Sequence, residues 1–432
     1  MPSAESGVAS SSETSLEPQP WERRDWRAVG LLFVAVLAIY LATATYTIAQ
    51  TNDARSAAVA AWNVAHRGEL ALPDWGGEDR NYWAVEGRDG RIYSNRFPGV
   101  IAWGVPFYLA QRAVFGADDP GHPFLVDFRP AGVAAATAAA LGVVMAYAVG
   151  RRLADRREAI AFALVLGFAT PFWSVAADAL WPHAITSLML LITVWSSSVR
   201  PVRGWALAGS AAYGIFTRPH LAVVHGVMGL WALAARRWRT SIVLAAGGVV
   251  GVAATSLYTR LVFGSWVPAA GYDQTAVGQA LSRSWTETAR GVWLAGGSLD
   301  RGVFIWTPFL ILLMPFLARG WRSAPDWARI AAVAGLPYLL LQLHINPWLG
   351  GVGYFAYRVP IETLVLAAPL LLRTWQVSLR QERILHTVFL LMICASVAVH
   401  AYGASGAYDR EGEAEWRQIV DRVSREQTDS PA

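Results

Sequence analysis

A single cysteine, Cys394, stands in the 432-residue chain. It excludes a disulfide within the chain and leaves no basis for a cysteine metal site. Lysine is missing altogether: the 36 basic side chains are all arginine. Charge is sparse, at 16% of residues, whereas 54% are hydrophobic and the mean hydropathy is +0.33. Those values exclude an ordinary soluble globular domain and point to a polytopic membrane protein. The net charge of +5 comes from arginines scattered between apolar runs. That is a topology pattern, and it argues against nucleic-acid binding. There is no internal repeat and no second soluble domain.

What is present is a series of apolar runs, at 29–49, 100–115, 130–150, 159–174, 182–199, 204–217, 221–235, 240–261, 302–318, 329–345, 359–373 and 385–403. Residues 1–25 read as a disordered cytoplasmic tail, because the first 20 are rich in Ser, Glu and Pro. The run 29–49 follows WERRDWR and is long enough to cross a bilayer. ATA at 42–44 imitates a signal-peptide cleavage site, but the run exceeds a signal core and further runs follow. If all twelve runs crossed, RRLADRRE at 151–158 and the later basic loops would lie outside, against the positive-inside rule. The conflict disappears if 100–115 stays on the outer face. That run is short, holds Pro106 and ends in Gln111–Arg112. The expected fold is therefore an all-α integral membrane protein with eleven transmembrane helices within 26–403, an outer-face interfacial helix and short extracytoplasmic loops. The N-terminus is cytoplasmic, and 404–432 form an extracytoplasmic tail. Two outer segments are large, 50–129 and 262–301. In the first, Ala58, Ala61, Trp62 and Ala65 recur at helical spacing and predict an amphipathic helix at the membrane interface. VEGRDGRIYS then predicts a hairpin around Asp89–Gly90.

This topology gathers a polar set on the outer face. Asp53 follows the first span. Arg96 lies in YSNRFPG, at the mouth of the short helix. Arg218 is in FTRPH, Arg301 in GSLDRGVFIWTP and Arg358 in YFAYRVPIE, while His183 follows Trp181–Pro182. Inner arginines follow from topology. Outer ones at membrane depth are costly and are usually functional. A phosphate at the lipid–water boundary accounts for several at once, because guanidinium binds phosphate oxygens in a bidentate way and stays charged. One carboxylate facing such a site suggests group transfer, with Asp53 as general base and the phosphate as leaving group. Each residue also has a structural alternative. Asp53 is a good N-cap, and Arg96 is placed to snorkel. Arg358 and Glu362 are four apart, as an ion pair on one helix would be. Arg301 stands beside Asp300, Arg218 precedes Pro219, and His183 lies near Asp178. The many tryptophans read mostly as an aromatic belt; outer ones such as Trp293 and Trp348 are candidates for stacking on sugars.

An acid after the first span, an interfacial helix and a basic-Pro motif are followed by RPAGVAAATAAALGVVMAYAVGRRLADRREAIAFALVLGFATPFW. That order resembles the GT-C membrane glycosyltransferases, which include the lipid A aminoarabinose transferases, the protein O-mannosyltransferases and many bacterial relatives. LVFGSWVPAAGY, SLDRGVFIWTPFLILL and PWLGGVGYFAYRVPIETLVLAAPLL look like recurring segments of the bacterial branch. The resemblance covers roughly 29–375. It implies transfer of a sugar from a polyprenyl-phosphate carrier on the outer face, with Asp53 as base and Arg96 in place of the family's phosphate-binding basic residue. The chain departs from the pattern twice. Asn52 precedes a lone Asp53 where paired acids are common, and Pro98–Gly99 replaces a double proline. No cofactor follows from this; a divalent metal stays open, without a paired-acid motif to support it.

The implied partners are a polyprenyl-phosphate-linked sugar, an envelope glycan, lipid or protein acceptor, and the lipid bilayer of the cell membrane. A transporter or flippase for a lipid-linked or anionic substrate is the competing class; it should show repeats and broken mid-membrane helices. A non-catalytic GT-C-like assembly partner is a third. The topology has a direct test in a chain from which Cys394 has been removed. A cysteine in place of Asp118 should react with an impermeant thiol reagent added outside, and one in place of Ala154 should not. The opposite labelling would show that 100–115 crosses the membrane.

Overall fold

The computed structural model describes residues 21–46, 52–73, 84–199, 201–272, 274–349 and 354–406, with 418, 421, 422 and 425. Most of both expected tails, 1–25 and 404–432, therefore lies outside the described residues. The chain is almost wholly helical: α1 Arg23–Thr43, α2 Asn52–Arg67, α3 Pro98–Phe115, α4 Arg129–Gly150, α5 Arg156–Phe168, α6 Pro182–Ser198, α7 Gly204–Thr217, α8 Ala222–Ala234 and α9 Trp238–Phe263. Then follow α10 Gln274–Leu281, α11 Trp285–Gly297, α12 Val303–Trp306, α13 Phe309–Leu313, α14 Leu317–Ser323, α15 Asp326–Ile345, α16 Ile361–Ser378 and α17 Arg383–Ala404. Each of the twelve apolar runs carries a helix. The run 302–318 is broken into pieces by Pro308 and Pro315. Among the described residues α1, α4, α9, α15 and α17 are long and apolar enough to cross a membrane.

The core is built around α4. Its apolar window is 72% buried, against 17% for α1 and α17, so α4 is central and the other two are peripheral. Alanine and glycine on every face of α4 let α1, α3, α5 and α6 approach closely. The peripheral helices turn large apolar side chains outward, among them Leu31, Val249, Val250 and Leu391, as helices bathed in hydrocarbon do.

Two expectations are corrected. The helix α1 begins at Arg23, inside the stretch expected as tail, and Trp21 packs against Trp26 and Tyr147. Second, α2 is not a one-sided helix at the interface. Ala54 through Asn63 are buried on all faces, as are Ala65 and His66. Its many alanines allow close enclosure by α3 and the hairpin, with Arg55 and Trp62 buried among them, which the spacing of Ala58, Ala61, Trp62 and Ala65 does not reveal. The hairpin itself forms as expected. Strand β1, Ala84–Glu86, pairs antiparallel with β2, Ile92–Ser94, with Gly90 at φ +77° in the turn. The Ser56 and Ser94 hydroxyls, 2.6 Å apart, tie it to α2.

At the end of the bundle where α1 begins, a buried carboxylate locks three helices. Asp25, in the first turn of α1, accepts from the Tyr147 hydroxyl (2.6 Å), Arg151 Nε (3.0 Å) and Arg156 Nε (3.2 Å). Its second oxygen accepts from the Glu22 amide at 2.8 Å. Removing one member of such a group strands the others in a poorly solvated place. Asp25→Ala should lower the unfolding free energy by about 3–5 kcal/mol, seen as a lower melting temperature in detergent. An unchanged melting temperature would refute the anchor.

Candidate active site

Prolines set the opposite end of the bundle. Pro98 and Pro182 start α3 and α6, Pro219 starts the short 3-10 turn ahead of α8, and Pro360 caps α16. Proline fixes φ for a first turn, needs no N–H there, and pushes the preceding residue to extended backbone. Phe97, Trp181 and Arg218 are extended as required. In each case a charged or aromatic side chain is left projecting from a helix start: Arg96, Trp181, Arg218 and Arg358. Gly99 lies so close to Thr217 that a Cβ would overlap its backbone, and the Tyr213 hydroxyl donates to Gly99 O at 2.9 Å. This contact seats the Arg96 loop against the end of α7, which bears Arg218.

Asp53 sits in the first turn of α2 with both oxygens engaged. Oδ1 accepts from Arg96 Nη1 at 2.7 Å and Oδ2 from Arg358 Nη1 at 3.2 Å. The partners are 43 and 305 residues away, so this carboxylate organises tertiary structure rather than only its own helix end. Arg96 is further held by Asn95 Oδ1 (2.6 Å) and lies over the Tyr272 ring at 5.1 Å. Arg358 lies over Trp181 at 4.5 Å and Tyr354 at 5.1 Å. Arg301 shares the Tyr354 ring, at 4.2 Å, lies 4.0 Å from Asp300 and donates from Nη1 to Leu349 O at 3.5 Å. Burial pushes the Asp53 carboxyl up, but the adjacent Arg96 and Arg358 outweigh it and hold the group below its ordinary value.

A second cluster adjoins the first. Arg218 donates from Nη1 to Glu362 Oε1 (2.8 Å) and from Nη2 to Gln342 Oε1 (2.7 Å). His183 Nδ1 is 2.8 Å from the same glutamate oxygen, and Thr186 donates to it at 2.9 Å. The ring of Trp181 links the clusters, under Arg358 on one side and 6.1 Å from the His183 ring on the other.

The structure thus brings Asp53, Arg96 and Arg358 into direct contact, sets Arg218 and His183 beside them, and leaves Arg301 at the edge. Two sequence pairings are corrected. Glu362 pairs with Arg218 and His183, not with Arg358. The helix α16 starts only at Ile361, so Arg358 lies outside it and the four-residue spacing does not apply. Asp178 does not meet His183; it accepts from the Thr45 amide and hydroxyl, both at 2.8 Å, and holds the end of α1. Trp293 is 78% exposed and takes no part. Sequence reasoning missed the aromatic seats Trp181, Tyr272 and Tyr354, although Trp181 stands in the same WPH as His183. Among the described residues no group of three or more His, Cys, Asp and Glu gathers to hold a metal.

No protein-family model matches the chain, and no curated protein matches it. Solved structures do. ArnT from Cupriavidus metallidurans in the apo state aligns at a TM-score of 0.50 with 16% identity, over 88% of this chain and 75% of that one. The same protein bound to undecaprenyl phosphate aligns at 0.49 with 15% identity, over 89% and 76%. The first alignment shows a shared fold, the all-helical membrane fold of ArnT.

The ion pairs fix a sign. The carboxyl of Asp53 lies below its unfolded value, so the stabilisation is present above about pH 4 and is lost as pH falls through the folded value. Arg96→Ala removes one opposing charge and should move this titration upward. Difference infrared spectra of the carboxylate band from about pH 3 to 7, with Asp53→Asn as blank, read the midpoint. A midpoint unmoved in Arg96→Ala would contradict the arrangement.

Proposed function

We propose that the chain is a membrane glycosyltransferase. It moves a sugar from a polyprenyl-phosphate carrier to an envelope glycan, lipid or protein acceptor at the outer face of the cell membrane. The observation that carries this reading is the carboxylate of Asp53 held between the guanidinium groups of Arg96 and Arg358. The fold shared with ArnT, an aminoarabinose transferase, supports it. So does the charge balance: among the described residues Arg96, Arg358 and Arg218 meet two carboxylates, Asp53 and Glu362. The surplus is positive, as an anionic ligand requires.

Each guanidinium has five N–H donors. Arg96 Nη2, and Arg358 Nε and Nη2, make no hydrogen bond to the protein among the described residues. They are the donors for phosphate oxygens. In the transfer, the acceptor hydroxyl gives its proton to Asp53 while its oxygen attacks the anomeric carbon. The bond from that carbon to the phosphate oxygen breaks, and its electron pair leaves with polyprenyl phosphate. Arg96 and Arg358 stabilise the departing charge. On this reading the site lies at the lipid–water boundary, the depth at which a lipid-borne phosphate must sit.

A deletion strain should accumulate a polyprenyl-phosphate sugar and lose one residue from an envelope glycan, lipid or protein, both read by mass spectrometry. Asp53→Asn is nearly isosteric. It should fold but turn over at least about 10²-fold more slowly, whereas Arg96→Ala should weaken polyprenyl-phosphate binding by about 2–4 kcal/mol. Wild-type turnover in Asp53→Asn, or unchanged binding in folded Arg96→Ala, would reject the reading.

A further inference from the structure

Behind the arginine pair lies a group of buried polar atoms that the transfer chemistry above does not use. Glu362, Gln342 and Tyr338 are each 0% exposed. Oxygen Oε1 of Glu362 is saturated by His183, Thr186 and Arg218, yet Oε2 has no hydrogen-bond partner among the described residues. The Tyr338 hydroxyl and Gln342 Nε2 are in the same condition. Buried polar atoms are rarely left so, and three on two packed helices call for a common explanation. Tyr338 and Gln342 are four residues apart on α15, hence neighbours on one face. The orientation of the Gln342 amide is chemically forced. Arg218 can only donate, so the atom it meets must be Oε1, and Nε2 must be the donor that remains.

The unmatched atoms are therefore a carboxylate oxygen that only accepts, an amide that only donates, and a phenol that does both. That set repels a second anion and complements hydroxyl groups, which donate and accept together. We infer that Glu362, Tyr338 and Gln342 form the subsite for the hydroxyls of the transferred glycosyl ring, beside the arginines that hold its phosphate. This rests on the glycosyltransferase reading and adds to it where the sugar binds. Arg218 connects the two halves, since it bonds to both Glu362 and Gln342 at the edge of the phosphate cluster.

The test compares ligands with and without a sugar. Affinities of the purified protein are measured for undecaprenyl phosphate and for its glucosyl, mannosyl and arabinosyl esters. The wild type should bind at least one ester more tightly than the bare phosphate. Tyr338→Phe removes only a hydroxyl without a protein partner, so the melting temperature should hold or rise, unlike the loss expected at a structural residue. That variant should bind bare undecaprenyl phosphate within about twofold of wild type and lose about tenfold of its preference for the ester. Glu362→Gln, which alters the acceptor oxygen, should reduce the same preference. No preference for any ester in the wild type, or a preference that survives in both variants, would overturn the subsite. Failure of the wild type to bind bare undecaprenyl phosphate would instead strike the glycosyltransferase reading itself.

Discussion

A guanidinium group cannot shed its charge, and it cannot be withdrawn from water without an anion beside it. The end of this bundle that holds Asp53 and Glu362 is organised by that constraint. Three arginines, Arg96, Arg358 and Arg218, come from chain positions far apart, and each is received by a carboxylate at the start of a helix, Asp53 on α2 or Glu362 on α16. Helix N-termini favour negative charge, so the acids are stable where they stand before any arginine arrives. Aromatic rings supply the rest of the seat. The faces of Tyr272, Trp181 and Tyr354 take the flat sides of Arg96, Arg358 and Arg301, and leave the N–H edges directed elsewhere.

The opposite end obeys the same electrostatics with a different outcome. Around Asp25 each carboxylate oxygen is taken up, by Tyr147, Arg151 and Arg156 on one and by the Glu22 amide on the other. Arg151 and Arg156 are balanced there by Asp25 and Glu22, and the cluster serves to hold α1 against α4 and α5. Among the described residues the clusters around Asp53 and Glu362 have more cations than anions, and Glu362 Oε2, Gln342 Nε2 and the Tyr338 hydroxyl are buried without a hydrogen-bond partner. A set of charges that only locks helices has no reason to remain unbalanced. That contrast within one molecule separates a structural anchor from a site for a ligand.

Much of this was legible in the chain, and the misses have physical causes. Apolar runs mark helices because burial or lipid demands them, and all twelve runs carry helix. Asp89–Gly90 marks the hairpin because Gly90 takes the positive φ of its turn. Four of the six candidate residues were visible because a permanent cation in a mostly apolar chain needs a reason, Asp53 because it is the acid that follows the first apolar run, and prolines mark the helix starts beside Arg96, His183, Arg218 and Arg358. Partner identity was not visible. The spacing of Arg358 and Glu362 suggests one helix, but Pro360 delays α16 by three residues and hands Glu362 to Arg218. The enclosure of α2 was hidden for a related reason. Alanine is neutral between interface and core, and only the surrounding helices decide which it occupies. Tyr338 and Gln342 carry no sequence signal at all, because a polar side chain on an apolar helix declares a partner only once its neighbours are known.

On the proposed function, Asp53 has two successive tasks that its position reconciles. While Arg96 and Arg358 lie against it, its charged form is favoured and it is a weak base. A phosphate ester arriving at the same guanidinium groups shares their hydrogen bonds and brings its own negative charge near the carboxylate. Both changes disfavour the ionised form of Asp53 and raise its affinity for a proton. The base is thus strengthened by the binding of the group that must leave, and it remains weak when there is nothing to transfer. A lone acid suits this arrangement, since a second carboxylate beside it would compete with the phosphate for the same two arginines.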